Sequence, residues 1–224
     1  MNQLGQMDMH RELSVALEAL DGYKKIHLEL AKRMIAADGG SVYPMDLFVG
    51  ATLNRSLNTL DGFVSLIRAR NFVAAAPLVR LQLDTCLRLS AAFLVDEPHQ
   101  FVLEVINGKR IRDMCDQSGK KMTDRYLCDQ LAEEAPWIDS VYKHASGYIH
   151  LSNKHFYESM RVEEGAGTIQ HAISLGDSFV SDKLRLDAVA AFQLSTNLQF
   201  EYVEGWIYSK ANPDLIKKAR QQTP

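Results

Sequence analysis

The sequence predicts an all-α fold, a helical bundle of about six or seven helices with a small β-hairpin or ordered loop before the last long helix. Three observations lead there. Apolar residues recur at steps of three and four over most of the chain. Gly, Pro and Asn interrupt that pattern at helical lengths. Only one stretch, 157–176, loses the helical period.

Residues 8–37 read as the first helix, with Leu13, Leu17, Leu20, Tyr23, Ile26, Leu30 and Met34 along one stripe. Asp8 is its expected N-cap, and Gly39-Gly40 supplies residues that tolerate positive φ at its end. Pro44 and Asp46 open a second helix running to Arg70, with Phe48, Leu53, Leu57, Leu60, Val64 and Ile67 apolar. Gly62 inside it implies close approach of a neighbouring helix. Asn71 is a break, and a third helix spans 72–95 with Pro77 loosening its start. Arg80, Asp84 and Arg88 form a charge ladder along it at four-residue steps, set among strongly apolar neighbours.

Asp96-Glu97-Pro98 marks the next N-terminus, and a fourth helix is expected over 98–117, softened at Gly108. Thr123 or Asp124 caps a short helix to Glu134, and Pro136 starts another. That one carries Trp137 to His155, where His, Lys, Ser and Tyr crowd together. At helical spacing Lys143, Ser146 or Gly147, and His150 share one face, and Leu151-Ser152-Asn153 reads as the helix exit. The segment around Glu164-Gly165-Ala166-Gly167 alternates loosely and predicts the hairpin. Residues 179–209 return to helix, apolar around most of the circumference and therefore central, ending at Asn212-Pro213. The basic tail KKARQQTP is expected to fray. No repeat, low-complexity tract or linker divides the chain, so the expectation is a single domain over 1–224 with a hairpin insertion.

Composition narrows the function classes. The formal net charge of −3 offers no general attraction to a phosphate backbone, so RNA as a partner requires a local patch. The three cysteines, Cys86, Cys115 and Cys128, lack CxxC spacing, which argues against zinc and a disulfide framework and for a cytoplasmic location. MNQLGQMDMHREL lacks the basic start and apolar core of a signal peptide, and no apolar run approaches a membrane span of about 20 residues. EEGAGT lacks the Lys-Ser/Thr of a phosphate loop, and neither a His-Glu-x-x-His pair nor a Gly-x-Ser-x-Gly elbow occurs. The expectation is no metal and no cofactor.

His150 remains. Histidine exchanges a proton near neutral pH unaided, and a nearby cation stabilises the charge that builds on phosphorus when an RNA 2′-hydroxyl attacks. The bland alternatives are a helix-terminal histidine bonded to Ser152 or Tyr148, and a core network in which Arg80, Asp84 and His150 satisfy one another.

Two segments carry a family resemblance: Arg70-Asn71-Phe72 with Ala75, Leu78, Arg80 and Asp84, and Tyr142 to Ser152 with Ile149-His150-Leu151-Ser152. Together they resemble the HEPN-like superfamily of prokaryotic helical proteins, over 46–153. The resemblance implies an RNA-directed or defence- and toxin-type protein acting as a homodimer, many such members being metal-independent endoribonucleases. It implies His150 as general acid and base, Lys143 for phosphate charge, and Arg80 with Asp84 orienting the site. His144, Ser146 and Ser152 fall in as binding residues. Lys143 stands where the family carries arginine, with six residues between it and His150, and lacks arginine's planar fork. The competing expectation is a non-enzymatic interaction or scaffold module that binds a protein partner, with the same Arg/Asp/His residues holding the fold.

Overall fold

The computed structural model describes residues 3–213 apart from 164 and 166; the KKARQQTP tail lies outside the described residues. It contains eight α-helices: α1 (Gln3–Ala36), α2 (Pro44–Arg68), α3 (Phe72–Ala91), α4 (Pro98–Ile106), α5 (Asp124–Ala132), α6 (Trp137–Ser146), α7 (Asn153–Ser159) and α8 (Asp182–Ala211). One antiparallel hairpin, β1 (Met160–Glu163) with β2 (Thr168–His171), precedes α8. The all-α bundle with a small hairpin before its last long helix is thus the observed architecture. None of the described helices is long and apolar enough to cross a membrane.

α1, α2, α3 and α8 form the bundle, with α1 and α3 each packed between α2 and α8. Residue pairs fix the directions. His10 faces Asp182, Arg33 pairs with Glu204, and Lys210 reaches Met34, so α1 and α8 run parallel. Lys24 pairs with Asp61, and Lys210 with Asp46, so α2 runs against both. Gln82 meets Gln199, and Phe72 meets Asp177 just before α8, so α3 is parallel to α8. A parallel pair needs a long crossover, here residues 92–181, which hold α4 to α7 and the hairpin.

The core is divided. One apolar cluster gathers Met34, Met45, Leu53, Leu83 and Phe101, and another Leu20, Leu60, Phe63, Val79 and Phe192. Between them lies a polar layer with one side chain from each bundle helix. His27 Nδ1–H donates to the Tyr23 carbonyl at 2.8 Å, which leaves Nε2 to accept from the Ser56 hydroxyl at 2.8 Å. Ser56 in turn accepts from Gln82 Nε2, which also donates to Gln199 Oε1, both at 2.9 Å. Burial lowers the His27 pKa, opposed by the Tyr23 carbonyl, so the ring is held neutral.

Two buried ion pairs tie down the bundle ends. Asp46 accepts from Lys210 at 3.0 Å, from Trp206 Nε1 at 2.8 Å and from the Tyr43 backbone at 2.8 Å. At the other end Asp177 accepts from Arg185 at 2.9 Å and caps α3 through the Phe72 backbone N–H at 2.8 Å. The Arg70-Asn71 turn is fixed further by the Asn71 side chain on Ala74 N–H, with Arg70 at φ 55°.

The fourth helix is shorter than expected. It stops at Ile106 rather than continuing to 117, because Gly108 adopts φ 91° and turns the chain out of the helix. α7 was not expected: the segment before the hairpin is helical through Ser159. Strand pairing occupies 160–171 within the expected 157–176. α1 begins by Gln3, so Asp8 lies inside it and is not an N-cap.

Candidate functional site

The charge ladder of α3 lies where α3, α5 and α6 pack together. Arg80, with 8% of its side chain exposed, donates to Asp124 at 2.9 Å and stacks 4.3 Å from the Tyr142 ring centroid. Asp84 receives Arg88 at 3.1 Å and Arg55 of α2 at 3.2 Å, with Arg80 at 3.9 Å. Arg88 also pairs with Asp124. Asp124 sits in the first turn of α5, where the helix dipole favours a carboxylate. Every charge of this five-residue network therefore has an opposite charge beside it. It joins α2, α3 and α5, and Tyr142 brings in α6.

His150 is not part of it. α6 ends at Ser146, and two turn bonds, Tyr148 N–H to the Ala145 carbonyl and Ile149 N–H to the Ser146 carbonyl, carry the chain past Gly147. Lys143 and His150 consequently do not share a helical face as the spacing suggested. The physical cause is the capping chemistry that follows. Ser152 is the N-cap of α7, accepting from Lys154 N–H and donating to the Gly147 carbonyl at 2.7 Å. Gly147 leaves room for Lys154 to lie across the corner, since a Cβ there would stand 3.1 Å from Lys154 Cε. His150 is exposed on this corner, joined by no hydrogen bond or ion pair to Arg80, Asp84 or Lys143. The core network of Arg80, Asp84 and His150 is likewise not formed.

The remaining sequence candidates have local partners. Lys143 bonds Asp139 at 2.6 Å, and Arg125 holds the same carboxylate at 2.8 Å. Lys143 first and Arg125 second keep the Asp139 carboxyl below its usual pKa. His144 Nδ1–H donates to the Ser140 carbonyl at 2.8 Å, and Ser146 Oγ to the Tyr142 carbonyl at 2.6 Å.

His144 opens instead onto a cleft of about 300 Å³ between α3, α6 and α8. Its floor is apolar, from Phe72, Ala76, Val79 and Ala188. Its rim carries His144, Tyr148, Lys154 and Asp187. Lys154 Nζ donates to the His144 carbonyl at 2.7 Å and lies 4.5 Å over the Tyr148 ring. Burial pulls its pKa below the ordinary lysine value, against the attraction of Glu158. Burial also raises the Glu158 carboxyl, opposed by the Tyr148 hydroxyl and by His155. An apolar floor under a cation and an imidazole suits an aromatic or apolar group carried by a partner.

Sequence reading missed Lys154 and Asp187 as neighbours of His144 in the cleft. Tyr148 and Lys154 lie within the Trp137 to His155 stretch, but nothing in it announces Asp187 of α8. Among the described residues no cluster of three His, Cys, Asp or Glu side chains is placed to hold a metal. No family model, curated protein or solved structure matches this chain.

Proposed function

We propose that this chain is a HEPN-like helical interaction module in which Arg80 and Asp84 hold the fold. One observation carries the reading: these two side chains engage Arg88, Asp124, Arg55 and Tyr142, and neither reaches His150. A group already paired and largely buried has little left to offer a substrate. In this reading the cleft beside α6 receives an apolar or aromatic side chain of a partner protein, with Lys154 and His144 at its rim. The test is a pair of melting curves. Arg80→Ala takes a buried cation from Asp124 and the Tyr142 ring, Asp84→Ala takes the carboxylate from Arg55, and each lowers the melting temperature clearly, whereas unchanged curves would overturn the structural assignment.

A second reading, a metal-independent endoribonuclease of defence or toxin type, is favoured by His150 itself, an exposed imidazole with no hydrogen-bond partner among the described residues. There the RNA 2′-hydroxyl loses its proton to His150 and attacks the adjacent phosphorus, the P–O5′ bond breaks, and the 5′-oxygen leaves with the proton that His150 returns. Lys143 balances the charge on the phosphoryl oxygens, while His144, Ser146 and Ser152 line the RNA path. Cleavage of RNA without added metal that disappears in folded His150→Ala and Lys143→Ala chains would establish this reading. Absence of cleavage by the wild type across varied RNAs would remove it.

A further inference from the structure

The hairpin has a pattern the bundle does not use. Met160 pairs with His171, Arg161 with Gln170, Val162 with Ile169, and Glu163 with Thr168. Strand alternation puts Arg161, Glu163, Thr168 and Gln170 on one face, and Met160, Val162, Ile169 and the exposed His171 on the other. The polar face is knitted: Thr168 and Gln170 donate to Glu163 at 3.0 and 2.6 Å, and Arg161 lies 5.2 Å over the Phe179 ring. The apolar face is bare, with Val162 62% and Ile169 64% exposed. Ile173 and Leu175, which follow, are exposed as well. The hairpin's principal packing partner is α7, from which it grows. Two short strands with one bare apolar face are marginal in water.

The outer edge of β1 is also specific. Ala172 N–H donates to the Ser159 carbonyl, so the hydrogen-bonded pairs of the ladder fall at 159/172, 161/170 and 163/168. Val162 therefore turns both its backbone N–H and C=O outward, to the unpaired edge, whereas the Met160 N–H closes α7 on the Phe156 carbonyl. A second copy laid antiparallel along this edge, with its two-fold axis at Val162, makes Val162 a reciprocal hydrogen-bonded pair with itself. Arg161 then lies opposite Glu163 of the partner subunit, twice, at the closely spaced positions of the ladder. Each carboxylate retains acceptor capacity beyond Thr168 and Gln170. The same operation on the β2 edge, centred at Ile169, opposes only Thr168 and Gln170 and gains no charge pair.

We propose that two copies of this chain associate through the outer edges of their β1 strands, forming one four-stranded antiparallel sheet locked by two Arg161–Glu163 pairs. Val162 and Ile169 of both copies then share one apolar face. The pairing is the same whether or not the molecule cleaves RNA.

Sedimentation of the full chain tests this at concentrations up to about 100 μM, above the micromolar range of weak specific interfaces. The wild type is expected to dimerise. Val162→Pro removes only an outward-facing donor and is expected to give a monomer with the wild-type helical melting curve. Arg161→Glu alone, or Glu163→Arg alone, sets like charges opposite each other twice and should weaken the dimer roughly tenfold or more. Mixing those two single-variant chains restores complementary pairs and should recover a mixed dimer. A wild type that stays monomeric overturns the proposal. So does a dimer indifferent to Val162→Pro, or one that the mixed charge variants fail to recover.

Discussion

Asp177 and Arg185 meet at 2.9 Å with 3% and 1% of their side chains exposed, and the same carboxylate caps α3 at Phe72. The pair thus anchors the end of the crossover to the turn between α2 and α3. Removing one partner of a buried pair leaves the other charge stranded. Asp177→Ala is expected to destabilise the fold by about 3–5 kcal/mol in urea titrations. Asp177→Asn, which retains an acceptor for the Phe72 N–H, should lose less.

At the opposite end, Asp46 has Trp206 Nε1 and the Tyr43 backbone as further donors, whereas Lys210 has the Met34 carbonyl besides Asp46. Lys210→Met leaves Asp46 two neutral donors and replaces the buried stem with apolar volume. Asp46→Ala leaves a buried ammonium with one carbonyl and opens a small void. The second substitution should therefore cost more stability than the first, and the double variant Asp46→Ala/Lys210→Met less than the sum. Equal single effects with strict additivity would argue against coupling.

His27 gives stability a pH dependence of known sign. Its folded pKa lies below the unfolded value of 6.5, because burial disfavours the charged ring. The unfolded chain therefore binds the extra proton first. The contribution is fully present above pH 6.5 and is lost as pH falls from there toward the depressed folded value, at no more than about 1.4 kcal/mol per pH unit. His27→Gln should be less stable at neutral pH but lack this component of the slope, as denaturation at pH 7.5 and 5.5 would reveal.

His150 and Arg80 should separate cleanly in stability. His150→Ala, at an exposed corner without bonded partners among the described residues, is expected to change unfolding free energy by less than about 0.5 kcal/mol. Arg80→Ala removes a buried cation from Asp124, which keeps Arg88, and from the Tyr142 ring, and is expected to cost about 1–3 kcal/mol. Similar losses for both would mean His150 has a structural partner after all.

Much of the fold was legible because helical periodicity is a local property. Leu13, Leu17, Leu20, Leu30 and Met34 are buried as the stripe of α1 indicates. Ile26, at the same spacing, is 41% exposed, while His27 beside it is buried. Its place depends on Ser56, Gln82 and Gln199, which lie on three other helices and leave no trace in the local pattern. α7 escaped notice because seven residues span too few turns to display a period, although Ser152 had the chemistry of an N-cap. The site was less legible still. The Arg80 ladder was visible, but its partner Asp124 is 44 residues away. Lys143 and His150 had the right spacing for one face, yet Gly147 and Ser152 redirected the chain between them.

The parallel course of α3 and α8 has a consequence during synthesis. α1 and α3 both pack on α8, and that helix is the last of the eight to leave the ribosome. Until it emerges, the nascent chain lacks Phe200, Val203 and Trp206 for one apolar cluster, Val189 and Phe192 for the other, and the Gln199 partner of Gln82. Contacts so distant in sequence close slowly and leave hydrophobic surface exposed meanwhile. The seven helices before it can collapse together early, but the native core waits for the final one.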